Sequence, residues 1–249
     1  MSEAALIITD LTKKYSGCTA LDRVNLRLVE KHVYALVGDM GSGKTTLFRC
    51  IAGLCKPEQG KIEIFGSSYK DLTLARREVG MLVDQPVYYG DLSVYNNLKM
   101  QARVIGGVDK ARIKKVMKAL KITPRDTGNR TVGGCPAGIK LSLAIATAVL
   151  GAPRLLLLDE PFNGLDSDGS ELVRNMISQE MSERSMSVLL SSQFFSELYP
   201  IATDFIFIDK GKIIMTKTKG EIDELLPKDI SKPSEFEAFY KELVKEVKI

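Results

Sequence analysis

The chain has few of the residues from which metal and redox sites are built. Among 249 residues there is one histidine, His32, and four cysteines, Cys18, Cys50, Cys55 and Cys135, with no C-x-x-C pairing. A zinc site is therefore not expected. With no secretion signal following Met1, the cysteines read as reduced thiols in or near the core. No run is apolar enough to cross a bilayer. The longest candidate, Leu141 to Leu150, contains Ser142 and is closed by Gly-Ala-Pro. The expectation is a soluble, cytosolic chain. The 35 Lys and Arg exceed the 31 Asp and Glu by four but are scattered, whereas a nucleic-acid surface gathers its cations in one stripe. No nucleic-acid partner is expected. His32, in the turn before the strand that opens at Tyr34, reads as solvated.

What is present is a phosphate trap. From Tyr34 to Arg49 an apolar strand runs into a glycine-rich turn and then directly into a helix. Gly38, Gly41 and Gly43 let successive backbone N–H groups point inward at a polyphosphate, and the helix from Lys44 adds its positive N-terminal dipole. Lys44 would reach the β- and γ-phosphates, and the Thr45 hydroxyl would hold Mg²⁺. Asp39, Met40, Ser42 and Thr46 complete the candidate loop. A merely glycine-rich connection is the plainer alternative, but the G-x-x-x-x-G-K-T spacing comes with the strand and helix that binding a nucleoside triphosphate requires.

Residues 4–9 and 24–29 read as strands, the second strictly alternating. Between them Tyr15 could cover a sheet edge or stack on a purine, and the residues alone leave both open. Further strands are expected at 61–65 and 79–83, the latter stopped by Asp84-Gln85-Pro86. From Asp91 to Leu150 the hydrophobic period changes from two to about 3.6, with Ser93 as a helix N-cap and Ile113, Val116, Met117 and Leu120 at helical spacing. This segment reads as a helical subdomain inserted into an α/β core. Leu155 to Leu158 then suit a strand buried on both faces of a parallel sheet, with Asp159 and Glu160 at its carboxyl end, where open α/β sheets bind ligands. Helices at 168–184 and 194–202 and strands at 187–191, 205–208 and 212–215 complete the alternation. The tail carries a capping box, Ser234 with Glu237, and an apolar stripe of Phe236, Phe239, Tyr240, Leu243, Val244 and Val247 that would pack on the domain.

Paired acids downstream of a phosphate loop have a mechanical reading. Asp159 would orient water on Mg²⁺, and Glu160 would polarise the water that attacks the γ-phosphate. In their order the phosphate loop 38–45, Gln85, the acids 159–160 and the turn Asn163-Gly-Leu-Asp166 resemble the nucleotide-binding subunit of an ATP-binding cassette (ABC) transporter. The resemblance covers nearly the whole chain and is closest to export-type cassettes, including bacteriocin and drug exporters, that pair with separately encoded permeases. It implies a P-loop NTPase (RecA-like) core with a mostly parallel sheet, an N-terminal antiparallel β region and an inserted helical subdomain. The division would be 1–85 and 151–226 for the core, 86–150 for the helices and 227–249 for a C-terminal helix. It also implies ATP and Mg²⁺ as ligands and Tyr15 stacked on adenine. Gln85 would contact the Mg²⁺ or its water, and the 163–166 turn would communicate across a dimer. The implied partners are an integral membrane permease and a second nucleotide-binding subunit, identical or different, on the inner face of the cell membrane.

Two positions depart from the family pattern. The family usually opens a helix with Leu-Ser-Gly-Gly-Gln, its last Gly about twenty residues before the first acid. Here Gly138 takes that role, so that Pro136 stands where the serine would, without hydroxyl or N–H. Proline still suits a first helical turn, leaving the helix dipole in place. A rival alignment uses Gly133-Gly134 and also lacks the serine. The second departure is Gln193, where the family carries histidine: an amide donates a hydrogen bond but cannot carry the imidazole's charge or shuttle a proton. The sequence thus implies an ATPase subunit of an exporter, slow as a homodimer and with two unequal sites beside a different cassette. The alternatives are an ATP-binding switch with little hydrolysis and a soluble ABC ATPase outside transport.

Overall fold

The computed structural model describes residues 3–68, 76–84, 87–123, 130–227 and 232–247. Strands β1 (Ala4–Tyr15) and β2 (Cys18–Val29) form a long antiparallel hairpin closed at Ser16 and Gly17, which β4 (Gln59–Ile64) and the short β5 (Ser67–Ser68) extend in the order β2-β1-β4-β5. The alternation at 4–9 and 24–29 marks only the outer halves of this hairpin. The pairing continues through several register shifts to Tyr15 opposite Cys18, and such irregularities erase the period-two signal.

The second sheet has six strands in the order β10-β9-β3-β8-β7-β6. These are β3 (Val33–Val37), β6 (Val79–Leu82), β7 (Leu155–Leu158), β8 (Ser187–Ser192), β9 (Asp204–Asp209) and β10 (Lys212–Thr218). All neighbours run parallel except the β9–β10 hairpin. The four leucines of β7 are completely buried. Leu156 and Leu158 enter one core, against the helices, and Leu155 and Leu157 enter the other, against the antiparallel sheet and the helix α1 (Lys44–Ala52) that follows β3. Each such leucine contributes about 2 kcal/mol of burial, so β7 is a fixed rail whose C-terminal end presents Asp159 and Glu160.

Between β6 and β7 the described residues carry the helices α2 (Val94–Ile105), α3 (Lys110–Ala119) and α4 (Ala137–Val149). Ser93 Oγ accepts the Asn96 N–H at 3.2 Å as the N-cap of α2, and Asp109 does the same for α3 with Arg112 N at 2.7 Å. Arg112 also anchors the helices to one another. It donates to the Val149 carbonyl at 2.6 Å and forms a bidentate pair with Glu180 of α5 (Ser167–Glu183), at 2.5 and 2.8 Å.

The chain after β8 contains only a single turn of helix, α6 (Phe195–Leu198), where the sequence predicts a longer one. Helix α7 (Lys219–Leu225) follows β10 with a Thr218–Glu221 capping box, and α8 (Pro233–Val247) closes the described chain. The capping residues of α8 are not Ser234 and Glu237. Pro233 occupies the first helical position, which suits its fixed φ, and Glu235 reaches back to the Lys232 N–H at 2.8 Å. Glu237 instead accepts the Ser196 N–H at 2.8 Å. The apolar stripe packs on the domain through an aromatic cluster in which Phe195 meets Phe236, Phe239 and Tyr240; the Val247 side chain lies outside the described residues. His32 is not simply solvated either: its Nδ1 lies 2.7 Å from Asp204 Oδ2, tying the turn before β3 to the start of β9.

Candidate nucleotide-binding site

The loop between β3 and α1 is shaped by close approach. A side chain at Gly38 would place its Cβ 2.4 Å from the Ile208 carbonyl oxygen, and one at Gly43, whose φ is 110°, would meet the Ala20 carbonyl at 2.7 Å. Only glycine fits either position, so the sheet and the β1–β2 hairpin mould the loop from both sides. The Ser42 carbonyl accepts the Gly211 N–H at 2.8 Å, a third clamp.

Lys44 lies folded inside the loop. Its side chain is 6% exposed, and its Nζ donates to the Gly38 carbonyl at 2.6 Å and the Asp39 carbonyl at 3.2 Å. The same ammonium stands 3.4 Å from Glu160 Oε1. A cavity of about 320 Å³ opens above this pair, lined by Met40, Gly41, Gly43, Lys44, Thr45 and Thr46 of the loop, Ala20 of the hairpin, Glu160, Asn163 and Gln193. The Ser42 hydroxyl is buried without a hydrogen-bond partner among the described residues. The lining of this cavity, a buried ammonium beside two threonine hydroxyls, has the chemistry to take a phosphate group.

The two acids are held differently. Ser191, on β8, donates its hydroxyl to Asp159 Oδ1 at 2.6 Å and accepts the Glu160 N–H at 2.9 Å. These two hydrogen bonds to one hydroxyl accompany a left-handed backbone at Glu160, φ 50°, which turns its carboxylate toward Lys44. Such a conformation in a non-glycine residue is held by its surroundings. Ser191 bridges the two acids, a contact that the sequence pattern did not predict; its signal was a hydroxyl at the C-terminal end of an otherwise apolar buried strand. The next residue, Ser192, donates to Glu197 and accepts the Phe194 N–H at 3.0 Å, which shapes the bend carrying Gln193. Burial pushes the Glu197 carboxyl above the usual range against the Ser192 hydrogen bond, with Glu160 and Glu237 adding to the rise.

A second, wider cavity of about 870 Å³ adjoins the first through Thr45, Glu160 and Asn163 and reaches Asp159, Asp84, Ala137 and Lys140. Thr45 and Asp159 thus face common space. Among the described residues no group of three or more His, Cys, Asp or Glu could hold a metal on its own. A hydroxyl and one or two carboxylates do fit Mg²⁺ arriving with phosphates that supply its remaining ligands.

Other candidate residues lie farther off. Tyr15, at the hairpin end, is 40% exposed and lines neither cavity; Cys55 beside its hydroxyl pushes the phenol above its ordinary range, against a smaller opposing effect of Arg49. Gln85 lies outside the described residues. Pro136 is the N-cap of α4, with φ −57° and ψ 157°, one position before the first turn expected for it. Gly138 sits in that first turn, and a Cβ added to it would meet no atom within 4 Å. Gly133 and Gly134 of the rival alignment lie in a 3-10 turn just before.

The geometry has its counterpart in known proteins. A family model described as "ABC transporter" matches residues 21–163. The chain belongs to the ABC transporter family. A bacitracin transport ATP-binding protein of Bacillus licheniformis is 35% identical over 207 residues, covering 83% of this chain and 67% of that one. A lantibiotic transport ATP-binding protein of Streptococcus pyogenes is 36% identical over 213 residues, covering 85% and 90%. A second bacitracin relative, from Enterococcus faecalis, is matched over 66% of its own length, so the chain spans about two thirds of these bacitracin proteins. In fold, an ATP-binding subunit of an ABC transporter superimposes with a TM-score of 0.81 at 23% identity, over 96% of this chain and 99% of that one. A dimeric cassette captured after hydrolysis with ADP and Pi gives 0.78 at 22%, over 86% and 98%. This ABC chain is accordingly a P-loop ATPase cassette, and no helix among its described residues is long and apolar enough to cross a membrane.

Proposed function

We propose that this ABC cassette binds and hydrolyses ATP to drive an export-type transporter whose membrane subunit is a separate permease, working as a dimer on the inner face of the membrane. The observation that carries the reading is the 3.4 Å approach of Lys44 Nζ to Glu160 Oε1 across the phosphate-loop cavity. When a triphosphate enters, its β- and γ-oxygens offer Lys44 stronger partners than one carboxylate. Glu160 is then released to accept a proton from the attacking water. Thr45, Asp159 and Gln85 would hold Mg²⁺, which supplies neutralisation of phosphate charge when bound. Tyr15 would stack on the adenine, and Gln193 would donate to the γ-phosphate.

The helical segment 86–150 is the part assigned to face outward. Pro136 and Gly138, at the start of α4, would meet the nucleotide of a second cassette. Val87, Tyr89 and Val104, which are 98, 60 and 80% exposed beside a groove against α2 and α4, would meet the permease. The bacitracin and lantibiotic relatives point to an antimicrobial peptide or similar amphipathic compound as cargo. With Pro136 and Gln193 at both sites a homodimer turns over slowly, whereas a partner cassette with intact motifs leaves two unequal sites. The absence of a titratable group at position 193 favours, as second reading, a switch that dimerises on ATP with little hydrolysis.

Steady-state phosphate release by the purified chain against Glu160→Gln separates these. Loss of a working base lowers turnover on the order of 10²-fold or more. Indistinguishable rates would remove Glu160 as the base and favour the switch.

A further inference from the structure

The end of the phosphate-loop helix carries a pair of thiols that the nucleotide chemistry does not use. Cys50, in the last turn of α1, is completely buried, and Cys55, just beyond the helix, is half-buried; their Sγ atoms are 3.4 Å apart. The chain between them turns at Gly53, whose φ of 77° allows the Leu54 and Cys55 N–H groups both to bond the Arg49 carbonyl, at 2.9 and 3.3 Å. That reversal brings the two sulfurs together, and neither is in a disulfide. A disulfide needs about 2.0 Å between sulfurs, so closure calls for side-chain rotation and a small shift of the 54–55 turn rather than refolding.

The surroundings link this pair to the nucleotide site. Cys55, beside the Tyr15 hydroxyl, pushes that phenol above its ordinary range, against a smaller opposing effect of Arg49, and Arg49 grips Asp84, the residue before Gln85, through contacts of 2.6 and 2.9 Å. Lys13 lies over the Tyr15 ring at 5.0 Å from its centroid while bonding Glu58. Burial pushes the Cys50 thiol well above its ordinary range, so the more accessible Cys55 is the sulfur that reacts first.

We propose that Cys50 and Cys55 form a reversible intramolecular disulfide on exposure to a low-molecular-weight disulfide, and that closing it loosens Tyr15 and weakens nucleotide binding. Cys55, as thiolate, attacks one sulfur of the small disulfide; that S–S bond breaks, a mixed disulfide forms, and one small thiolate leaves and takes up a proton. Cys50 then loses its proton, attacks Cys55 Sγ and expels the second small thiolate. Two protein thiols are oxidised and one small disulfide is reduced to two thiols. The Cys55 sulfur is drawn away from the Tyr15 hydroxyl as the turn shifts. The effect on binding rests on the assignment of Tyr15 to adenine; formation of the bond does not.

The test uses the full chain equilibrated with glutathione and glutathione disulfide in varied ratio. Peptide mapping after thiol trapping reads the bond, and Mg-ATP titration reads affinity before and after re-reduction. The expected result is a Cys50–Cys55 linkage with loss of two hydrogens and an affinity lower by about fivefold, roughly the worth of one aromatic contact. Affinity returns on reduction, and Cys55→Ser and Cys50→Ser are unresponsive. No such linkage at any ratio, or a linkage that leaves affinity unchanged, would overturn the proposal. Tyr15→Ala in the reduced state separates the two ideas: full affinity there refutes the adenine assignment, while the mapping still judges the disulfide.

Discussion

The two glycine-bearing segments of this cassette are built on opposite terms. At the phosphate loop, Gly38 and Gly43 are pressed against the Ile208 and Ala20 carbonyls, Lys44 is buried, and the Ser42 carbonyl is tied to Gly211. At the start of α4, Gly134 and Gly138 have nothing within 4 Å of a Cβ position, and the N-cap Pro136 makes no side-chain capping bond. The first segment is therefore fixed by its own chain, and its glycines are needed for folding as much as for binding. In the second, nothing in the chain itself demands glycine at 134 or 138, which is what a surface completed by a second cassette would show, although a Cβ at Gly133 would press on the Gly90 carbonyl at 3.3 Å.

Three tests sharpen that contrast. Gly38→Ala forces a methyl group into backbone and costs on the order of 3 kcal/mol, read as a lowered denaturant midpoint; an unchanged midpoint would mean that the loop is not moulded by β9. Gln193→His, alone or with Pro136→Ser, restores groups that act only on bound phosphate. It raises ATP turnover about tenfold with the midpoint unchanged, and no gain in rate would leave the two departures without catalytic meaning. Gly138→Ala, within the first turn of α4, is neutral or raises stability by up to about 1 kcal/mol while weakening ATP-dependent dimerisation in size-exclusion chromatography. A loss of stability there would break the contrast.

What could be read from the sequence follows the same division. The strand-loop-helix around Lys44 and the leucine strand ending in Asp159 and Glu160 are local patterns, visible because spacing and hydrophobic period alone define them. The hairpin reaching Tyr15 is half visible, since its register shifts break the alternation. Ser191 between the two acids, His32 with Asp204, and the Arg112–Glu180 pair join residues far apart in the chain, and no periodicity signals them. The start of α8 misleads because Ser234 and Glu237 have capping-box spacing, while Pro233 at the first position and Glu235 at the Lys232 amide satisfy the same end.

The central claim is that the loop 38–46 and Glu160 enclose one triphosphate, with Lys44 as its main cation. Calorimetric titration of Mg-ATP into the chain and into Lys44→Ala tests it directly. The account predicts that the variant still folds, at a stability cost of roughly 1–3 kcal/mol for the loop carbonyls left without a donor, and binds at least about 10²-fold more weakly, as expected when a buried charge-assisted contact is removed. Equal affinities for the two proteins would contradict it.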